Sequence, residues 1–332
     1  MKNTNPVENL AGITIPAITI PWPGAISPLV EDIETGMLQW AAEFGLIVNP
    51  THAARIRRSK FAWFVARSYP NADITLLQMA ADYGIWLFLV DDMLIDRMEM
   101  SPQERVTSLS ALLDILDLEK AGQHPVYGEL ALLDLCRRFR KNMNTTSCNR
   151  MMQAIRLWAA AAGLQILDHE RAETPALSTY VTIRRYIGAV ETTISLNDVL
   201  NYKPVTDAVY NSPEVYQLRL IVNNVIAWGN DVHSAIIEAQ QPGHFRNMPL
   251  IYASQGHTLQ EGITFTVDNV YQEIARFSEI EASISTHADE ALLNLIQGFK
   301  DCISGYYNWV LLDTQRYSKE HMAMDANDSK SI

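Results

Sequence analysis

Apolar residues recur at intervals of three and four along nearly the whole chain after Pro28. This spacing is typical of amphipathic α-helices, and no block of the sequence shows the alternation of a half-buried strand. The pattern predicts helices, with boundary errors of a few residues, over about 29–46, 51–68, 74–97, 102–118, 124–143, 147–171, 176–203, 213–240, 257–284 and 287–318. The predicted fold class is therefore all-α, as a helical bundle.

Local signals set the ends of this helical region. The first 28 residues carry five prolines, too many for a helix, so residues 1–28 are predicted to form an extended arm lying across the fold. Ser101 and Glu104 form a capping-box pattern with Pro102 at the first helical position. Ser212 and Pro213 start the helix over 213–240 in the same way. No linker interrupts the middle, so 29–318 is read as one helical domain and 319–332 as a polar tail.

Composition limits the function classes. Of 332 residues, 48% are hydrophobic and 19% charged, and the net charge of −12 argues against nucleic-acid binding. Three widely spaced cysteines fit neither a disulfide framework nor a zinc site, which favours a reducing cytoplasm. The chain shows neither a signal pattern nor an uninterrupted apolar run of membrane-spanning length, so no membrane anchor is expected. The oligomeric state is left open, a homodimer included.

Asn230, Ser234 and Glu238 form the most informative pattern. They recur at i, i+4 and i+8, so all three project from one helix face. An amide oxygen, a hydroxyl and a carboxylate on successive turns suit a hard divalent cation such as Mg²⁺. The alternative is a polar helix face that binds nothing.

A second oxygen-rich cluster, formed by Asp91, Asp92 and Asp96, follows the apolar run over 84–90. Asp92 and Asp96 share a helix face at i, i+4. A solvated helix end is the alternative, but a buried helix that ends in acids needs a partner for them. Two such half-sites among apolar residues suggest a diphosphate held by Mg²⁺ above an apolar cavity.

Together these residues resemble the aspartate-rich and NSE motifs of class I terpene synthases of the bacterial type. The family places a diphosphate-sensing arginine 46 positions before the motif asparagine, where this chain has Arg184, and a helix-break glycine four residues later, where it has Gly188. It also has an Arg-Tyr pair near the C-terminus, and Arg316 and Tyr317 match it. The matches run from Asp91 to Tyr317.

The resemblance implies a set of roles. Asp91, with Asp92 or Asp96, would bridge two Mg²⁺ ions, and Asn230, Ser234 and Glu238 would chelate a third. Diphosphate would be bound by Arg184, Asn230, Arg316 and Tyr317. Gly188 would turn a backbone carbonyl toward the reacting carbons, its alternative being close helix packing. Arg185 is about 100° round the helix from Arg184, so a surface or supporting role is expected for it.

A carbocation intermediate requires a dry cavity with aromatic walls. Phe88, one turn before Asp91 and Asp92, is the first candidate for such a wall, followed by Phe64 and Trp309; each could equally be core. Three positions depart from the family's usual residues: His233 replaces a tyrosine, Ile237 a lysine, and Ile187 a polar residue of some relatives. The metal ligands are intact.

The expected activity is cyclisation of a linear isoprenoid diphosphate with loss of diphosphate. Farnesyl diphosphate is favoured because the chain length and the bulky aromatics suit a C15 cavity, while geranylgeranyl and geranyl diphosphate stay open. A trans-prenyltransferase of the same fold would need a second aspartate-rich motif in place of Asn230, Ser234 and Glu238. A non-catalytic isoprenoid diphosphate-binding protein would not need intact ligands in both motifs.

Overall fold

The computed structural model describes residues 10, 12–95, 100–169, 174–200, 204–240, 247–286, 288–318 and 321. Within these ranges every regular element is helical. The α-helices are α1 (Val30–Glu43), α2 (Pro50–Ser59), α3 (Phe61–Ser68), α4 (Ile74–Val90), α5 (Pro102–Leu118), α6 (Glu129–Asn142), α7 (Thr145–His169), α8 (Leu177–Ile187), α9 (Val190–Ile194), α10 (Asn197–Leu200), α11 (Asp207–Tyr210), α12 (Pro213–Glu238), α13 (Met248–Ala253), α14 (Leu259–Ser285) and α15 (Glu290–Asn308). Two π-helical turns follow α4 and α15: π1 (Asp91–Ile95) and π2 (Trp309–Asp313). The all-α prediction is confirmed.

Helix starts follow local side-chain chemistry. The capping box between Ser101 and Glu104 is present in full, so α5 begins where the sequence predicts. Thr258 and Glu261 form a second capping box at the start of α14. Helix α12 begins at Pro213 as predicted, but the side chain of Ser212 makes no capping hydrogen bond.

Several predicted helices were too long. The helix predicted over 51–68 is two helices, because Lys60 adopts a left-handed backbone with φ of 53°. The carbonyls of Ser59 and Lys60 accept hydrogen bonds from the indole Nε1 of Trp309, at 3.0 and 2.8 Å. That partner comes from the far end of the chain, so no local pattern reveals it. The helix predicted from 124 begins only at Glu129, and the region 176–203 contains α8, α9 and α10 in place of one helix.

Helix α4 lies in the core and packs against α1, α3 and α6. Eleven of its residues are buried, and with π1 it forms one 22-residue segment long and apolar enough to cross a membrane by length and composition alone. In this fold, 61% of that segment's most apolar window is buried inside the protein. Helix α12 packs against α8, α9, α14 and α15. These two helices carry the two oxygen-rich motifs.

The described part of the N-terminal segment contains no helix and lies along α14 and α15. The side-chain amide of Gln260 pairs with the backbone of Thr14, accepting from its N–H at 2.8 Å and donating to its carbonyl at 3.2 Å. The hydroxyl of Tyr271 accepts from the backbone of Thr19, and Ser304 donates to the carbonyl of Trp22. Side chains of the bundle thus satisfy backbone groups of this non-helical segment.

All three cysteines, Cys136, Cys148 and Cys302, are free and buried. Burial raises the pKa of Cys136 and of Cys302 to about 12, so both are neutral thiols at neutral pH. They act as small core residues.

Candidate active site

The aspartate-rich motif lies where α4 passes into π1. Asp91 and Asp92 are the first residues of this turn, and both are partly buried. Asp96, and with it the predicted face shared by Asp92 and Asp96, lies outside the described residues.

Arg316 binds Asp92 through a two-pronged ion pair. Its Nη1 and Nη2 donate to the two carboxylate oxygens at 3.0 and 2.6 Å. Burial opposes ionisation of Asp92, but the charge and hydrogen bonds of Arg316 outweigh it and lower the pKa of Asp92. Arg316 stays cationic, because the effect of Asp92 likewise outweighs the burial of its guanidinium and raises its pKa. The two charges are thus held together before any substrate is present.

The side chain of Asn230, on α12, connects a guanidinium group with a phenol hydroxyl. Its Oδ1 accepts from Nη2 of Arg184 at 2.6 Å, and its Nδ2 donates to the hydroxyl of Tyr317 at 2.7 Å. One turn on, Ser234 donates to the carbonyl of Asn230 at 2.9 Å and accepts from Nδ2 of Asn247 at 3.3 Å. Asn230 and Ser234 are therefore oriented by neighbours from α8, α13 and the C-terminal segment.

The consecutive residues Arg316 and Tyr317 join the two motifs. Arg316 binds Asp92 beside α4, and Tyr317 accepts from Asn230 on α12. Hydrogen bonds connect Arg316 with Asp92, Tyr317 with Asn230, and Asn230 with Arg184, and the peptide bond between Arg316 and Tyr317 joins the two sets. The hydrogen-bonded partners lie 46 to 224 positions apart in the sequence, and the fold brings them into one cluster.

Asp91 and Glu238 also act on Arg184. Burial alone would lower the pKa of this guanidinium, but Asp231 raises it strongly, and Glu238 and Asp91 add to the rise. An electrostatic effect of this kind requires proximity, so both carboxylates lie near the Arg184 cation. Carboxylates of both predicted metal half-sites thus raise the pKa of the same guanidinium.

Asp231 is a site residue that the sequence reasoning missed. One carboxylate oxygen accepts from Nε of Arg184 at 2.9 Å, and the other accepts from the hydroxyl of Tyr180 at 2.6 Å and from the backbone of Met248 at 3.2 Å. Burial raises the pKa of Asp231 to about 6, although Arg184 opposes this. Its signal was present: Asp231 follows Asn230 directly, and Tyr180 lies four residues before Arg184 on one face of α8.

A helix ends just before Gly188, the position at which the resemblance places a helix-break glycine. Helix α8 ends at Ile187 and α9 starts at Val190. The left-handed residue is Ala189, with φ of 54°, and not the glycine. A Cβ atom on Gly188 would lie 3.0 Å from the carbonyl oxygen of Arg184 and 3.3 Å from Cβ of Ala227. Glycine is therefore needed here for close approach to α12.

The three predicted wall aromatics lie in one cluster. Phe88 contacts Phe64 edge-on and Trp309 at a tilt, with ring centroids 6.0 Å away in each case, and it stacks on Phe61 at 4.4 Å. The guanidinium of Arg316 lies 5.5 Å from the centroid of Phe88. Phe88 is thus next to the ion pair of Arg316 and Asp92, whereas Trp309 is 1% exposed and bonded to backbone carbonyls. Phe61, which the sequence reasoning did not select, shares the stack with Phe88.

A family model described as terpene synthase family 2, C-terminal metal binding, matches residues 82–276, more than half of the chain. This chain belongs to the terpene synthases. It is 42% identical to a sesquiterpene synthase of Metarhizium brunneum over 319 residues, which are 96% of this chain and 93% of the relative. It is 39% identical to a farnesyl diphosphate-cyclizing corvol ether synthase of Kitasatospora setae, over 95% of this chain and 98% of that protein.

Solved structures show the same fold. The SVS_A2 protein from ancestral sequence reconstruction superposes with a TM-score of 0.83 at 25% identity, over 91% of both chains. Germacradien-4-ol synthase from Streptomyces citricolor superposes with a TM-score of 0.76 at 20% identity, over 89% of this chain and 98% of that one. The helical architecture of this terpene synthase is therefore that of the class I enzymes. Its membership of the terpene synthase family makes an isoprenoid diphosphate its substrate class.

The residues of this terpene synthase suit the divalent metal that its family binds. Within the described ranges, no three His, Cys, Asp or Glu side chains form a ready-made cluster. The predicted oxygen ligands are instead divided between Asp91 with Asp92 on one side and Asn230, Ser234 and Glu238 on the other. Two partial ligand sets of this kind would leave coordination positions for oxygens of a bound diphosphate.

The histidine that replaces the family tyrosine is neutral. Burial lowers the pKa of His233 to about 4. Its Nδ1 lies 3.0 Å from the hydroxyl of Tyr306, and its ring packs 5.9 Å from that of Tyr317. His233 therefore supports Tyr317 by packing and adds no positive charge for the diphosphate.

Proposed function

We propose that this terpene synthase is a Mg²⁺-dependent cyclase of farnesyl diphosphate that assembles three Mg²⁺ ions with its substrate. The observation that carries the proposal is that the consecutive residues Arg316 and Tyr317 bind Asp92 and Asn230 respectively, while Asn230 also accepts a hydrogen bond from Arg184. It couples the aspartate-rich motif to the Asn230, Ser234 and Glu238 motif. The names of the farnesyl diphosphate-cyclizing relatives support the C15 substrate.

The ligand assignment follows from the chemistry of the side chains. Asp91 and Asp92 would hold two ions, and Asn230, Ser234 and Glu238 the third. The bound Mg²⁺ supplies Lewis-acid stabilisation of the departing diphosphate. Asn230 and Ser234 are already oriented by hydrogen bonds, which reduces the ordering cost when the ion binds.

Three donors of the chain would bind diphosphate oxygens. The guanidinium groups of Arg184 and Arg316 offer forked, charge-assisted hydrogen bonds, and Tyr317 adds a hydroxyl. In the structure, Arg184 and Arg316 donate to Asp231 and Asp92 respectively, and the hydroxyl of Tyr317 accepts from Asn230. Diphosphate binding therefore exchanges internal partners for the substrate, and the arginines do not have to be recruited from solvent.

The aromatic cluster would face the hydrocarbon part of the substrate. Phe88 lies under the guanidinium of Arg316, one turn before the aspartates, so its ring is close to where the diphosphate would leave. An aromatic face stabilises a carbocation without offering it a nucleophile. His233 is neutral and packed among tyrosines, so it does not add a cation that would repel the intermediate.

The proposal is tested by incubating the pure protein with Mg²⁺ and, separately, geranyl, farnesyl and geranylgeranyl diphosphate. We expect cyclic C15 hydrocarbons or alcohols by gas chromatography and mass spectrometry, with equimolar diphosphate release that EDTA abolishes. Turnover of geranylgeranyl diphosphate alone would contradict the C15 assignment. Turnover that persists in EDTA would contradict the metal assignment.

Phe88→Ala should shift the product mixture toward acyclic and early-quenched compounds. The change removes a cation–π contact of up to about 2 kcal/mol in a desolvated site. Since about 1.4 kcal/mol between competing transition states changes a product ratio tenfold, the shift should be visible by gas chromatography. Phe88→Tyr and Phe88→Trp should perturb the mixture less.

Phe265 provides the control for this experiment. It is another partly buried aromatic, on α14, and its ring stacks on that of Tyr252 on α13 with the ring centroids 4.2 Å apart. Phe265→Ala should leave the product ratio unchanged. If Phe88→Ala gives the wild-type mixture at comparable turnover, Phe88 is ordinary core packing.

A further inference from the structure

The break between α8 and α9 leaves one backbone carbonyl without its helical partner. In a continuous helix, the N–H of Ala189 would donate to the carbonyl of Arg185. In this structure the N–H of Ala189 donates instead to the carbonyl of Tyr186, at 3.0 Å. The carbonyl of Arg185 accepts from the side-chain Nδ2 of Asn223 on α12, at 2.6 Å. Asn223 is only 3% exposed, so its amide satisfies this carbonyl inside the protein.

Asn223 belongs to a stripe of residues on α12 that form hydrogen bonds with the last turn of α8. Asn223, Ala227 and Asn230 lie at i, i+4 and i+7, on one helix face. The carbonyl of Ala227 and Oδ1 of Asn230 both accept from Nη2 of Arg184, at 3.4 and 2.6 Å. With a rise of about 1.5 Å per residue, the stripe spans about 10 Å. One end of it holds the Arg184 guanidinium and the other holds the backbone of the break.

Hydrogen bonds thus connect both Arg184 and the α8–α9 break to the same helix, α12. Arg184 precedes the break, and Gly188 and Ala189 form it. The left-handed backbone of Ala189 is a strained conformation for a residue with a Cβ atom, so it needs support from surrounding contacts. The hydrogen bond from Asn223 supplies such a contact at the carbonyl of Arg185, between the guanidinium and the strained residue.

We propose that Asn223 is a positioning residue that sets the backbone of the α8–α9 break relative to Arg184 during turnover. The inference rests on the proposed function, because it assumes that Arg184 binds the substrate diphosphate. Asn223 does not hold a diphosphate contact itself. Removal of the Asn223 side chain should therefore leave substrate binding nearly intact but displace the backbone of the α8–α9 break beside the reacting carbons.

Asn224 offers a matched control. It is the next residue on α12, is 5% exposed and, like Asn223, has a buried side-chain oxygen without a hydrogen bond in the described part of the chain. It differs from Asn223 in making no hydrogen bond to α8 there. Truncation of either residue removes one buried amide, so a general packing defect should be similar for both.

The experiment compares wild type with Asn223→Ala and Asn224→Ala, using farnesyl diphosphate and Mg²⁺. Because small misplacements in a catalytic site cost up to about a hundredfold, Asn223→Ala should lower kcat at least about tenfold, with KM within about threefold of wild type. The share of acyclic products should rise. Asn224→Ala should keep kcat within about threefold of wild type and keep the product mixture. Asn223→Ser retains a donor and should recover part of the lost kcat, and it serves if Asn223→Ala does not fold.

Hydrogen exchange followed by mass spectrometry gives a readout that needs no turnover. Peptides covering 185–196 should exchange faster in Asn223→Ala than in wild type, and at the wild-type rate in Asn224→Ala. The wild-type assay alone tests the proposed function, whereas the ratio of variant to wild type and the exchange rates test Asn223. Equal effects of the two alanine variants, or wild-type kcat and products in Asn223→Ala, would overturn the inference.

Discussion

Glu238→Gln should reduce kcat/KM for farnesyl diphosphate by at least about a hundredfold, more than the loss of an outer-shell partner costs a metal site. Glu238 is partly buried at the end of α12, and the structure gives it no hydrogen bond or ion pair within the described residues. Its carboxylate therefore contributes little to the fold. Glu238→Gln removes the charge but nearly preserves the size of the side chain. A loss of activity would therefore indicate that the carboxylate is an oxygen ligand for Mg²⁺.

The same variant should require more Mg²⁺ for half-maximal turnover, measured by diphosphate release across a Mg²⁺ titration. Glu214, exposed in the first turn of α12, gives the control, since Glu214→Gln makes the same chemical change away from the site. Asn230→Ala and Asp91→Ala should also lose activity, although Asn230 additionally holds Arg184 and Tyr317. Wild-type turnover and Mg²⁺ dependence in a folded Glu238→Gln protein would refute the metal assignment.

Much of the architecture could be predicted from local patterns. Helical periodicity predicts the all-α fold, the capping box at Ser101 predicts the start of α5, and the i, i+4, i+8 spacing places Asn230, Ser234 and Glu238 on one helix. These features depend on residues a few positions apart. Their physical causes, backbone hydrogen bonds and side-chain caps, act over the same short distances.

What escaped prediction depends on distant contacts. The pairing of Arg316 with Asp92 joins residues 224 positions apart, and Lys60 ends a helix beside an indole that is 249 positions away. The π-helical turn at Asp91 has no local signature that separates it from a continued α-helix. Asp231 was overlooked because it lies outside the i, i+4, i+8 spacing of Asn230, Ser234 and Glu238, and its partners Arg184 and Tyr180 are 47 and 51 positions away.

Both arginines of the candidate site form ion pairs with acidic side chains of the protein. Arg184 is held by Asp231, and Arg316 by Asp92, in a protein whose net charge is −12. Buried ion pairs of this kind contribute little net stability, because desolvation offsets the attraction. They orient both guanidinium groups beside the proposed metal ligands. Under the proposed function, Asp92 would become available to Mg²⁺ when Arg316 binds the diphosphate.

Arg184→Lys should lower kcat/KM sharply, although it preserves the positive charge. The guanidinium of Arg184 donates from Nε to Asp231 and from Nη2 to Asn230, in two directions at once. A lysine ammonium cannot reproduce this planar fork. Losing one charged hydrogen bond costs about 1.5–3 kcal/mol, which is about a ten- to hundredfold change in rate. Arg185→Lys is the matched change one residue on, at a side chain that makes no hydrogen bond to Asn230 or Asp231 within the described residues, and it should stay within about threefold of wild type. Steady-state diphosphate release compares the two variants. Equal losses at both positions would show that the diphosphate-sensing role has been assigned to the wrong face of α8.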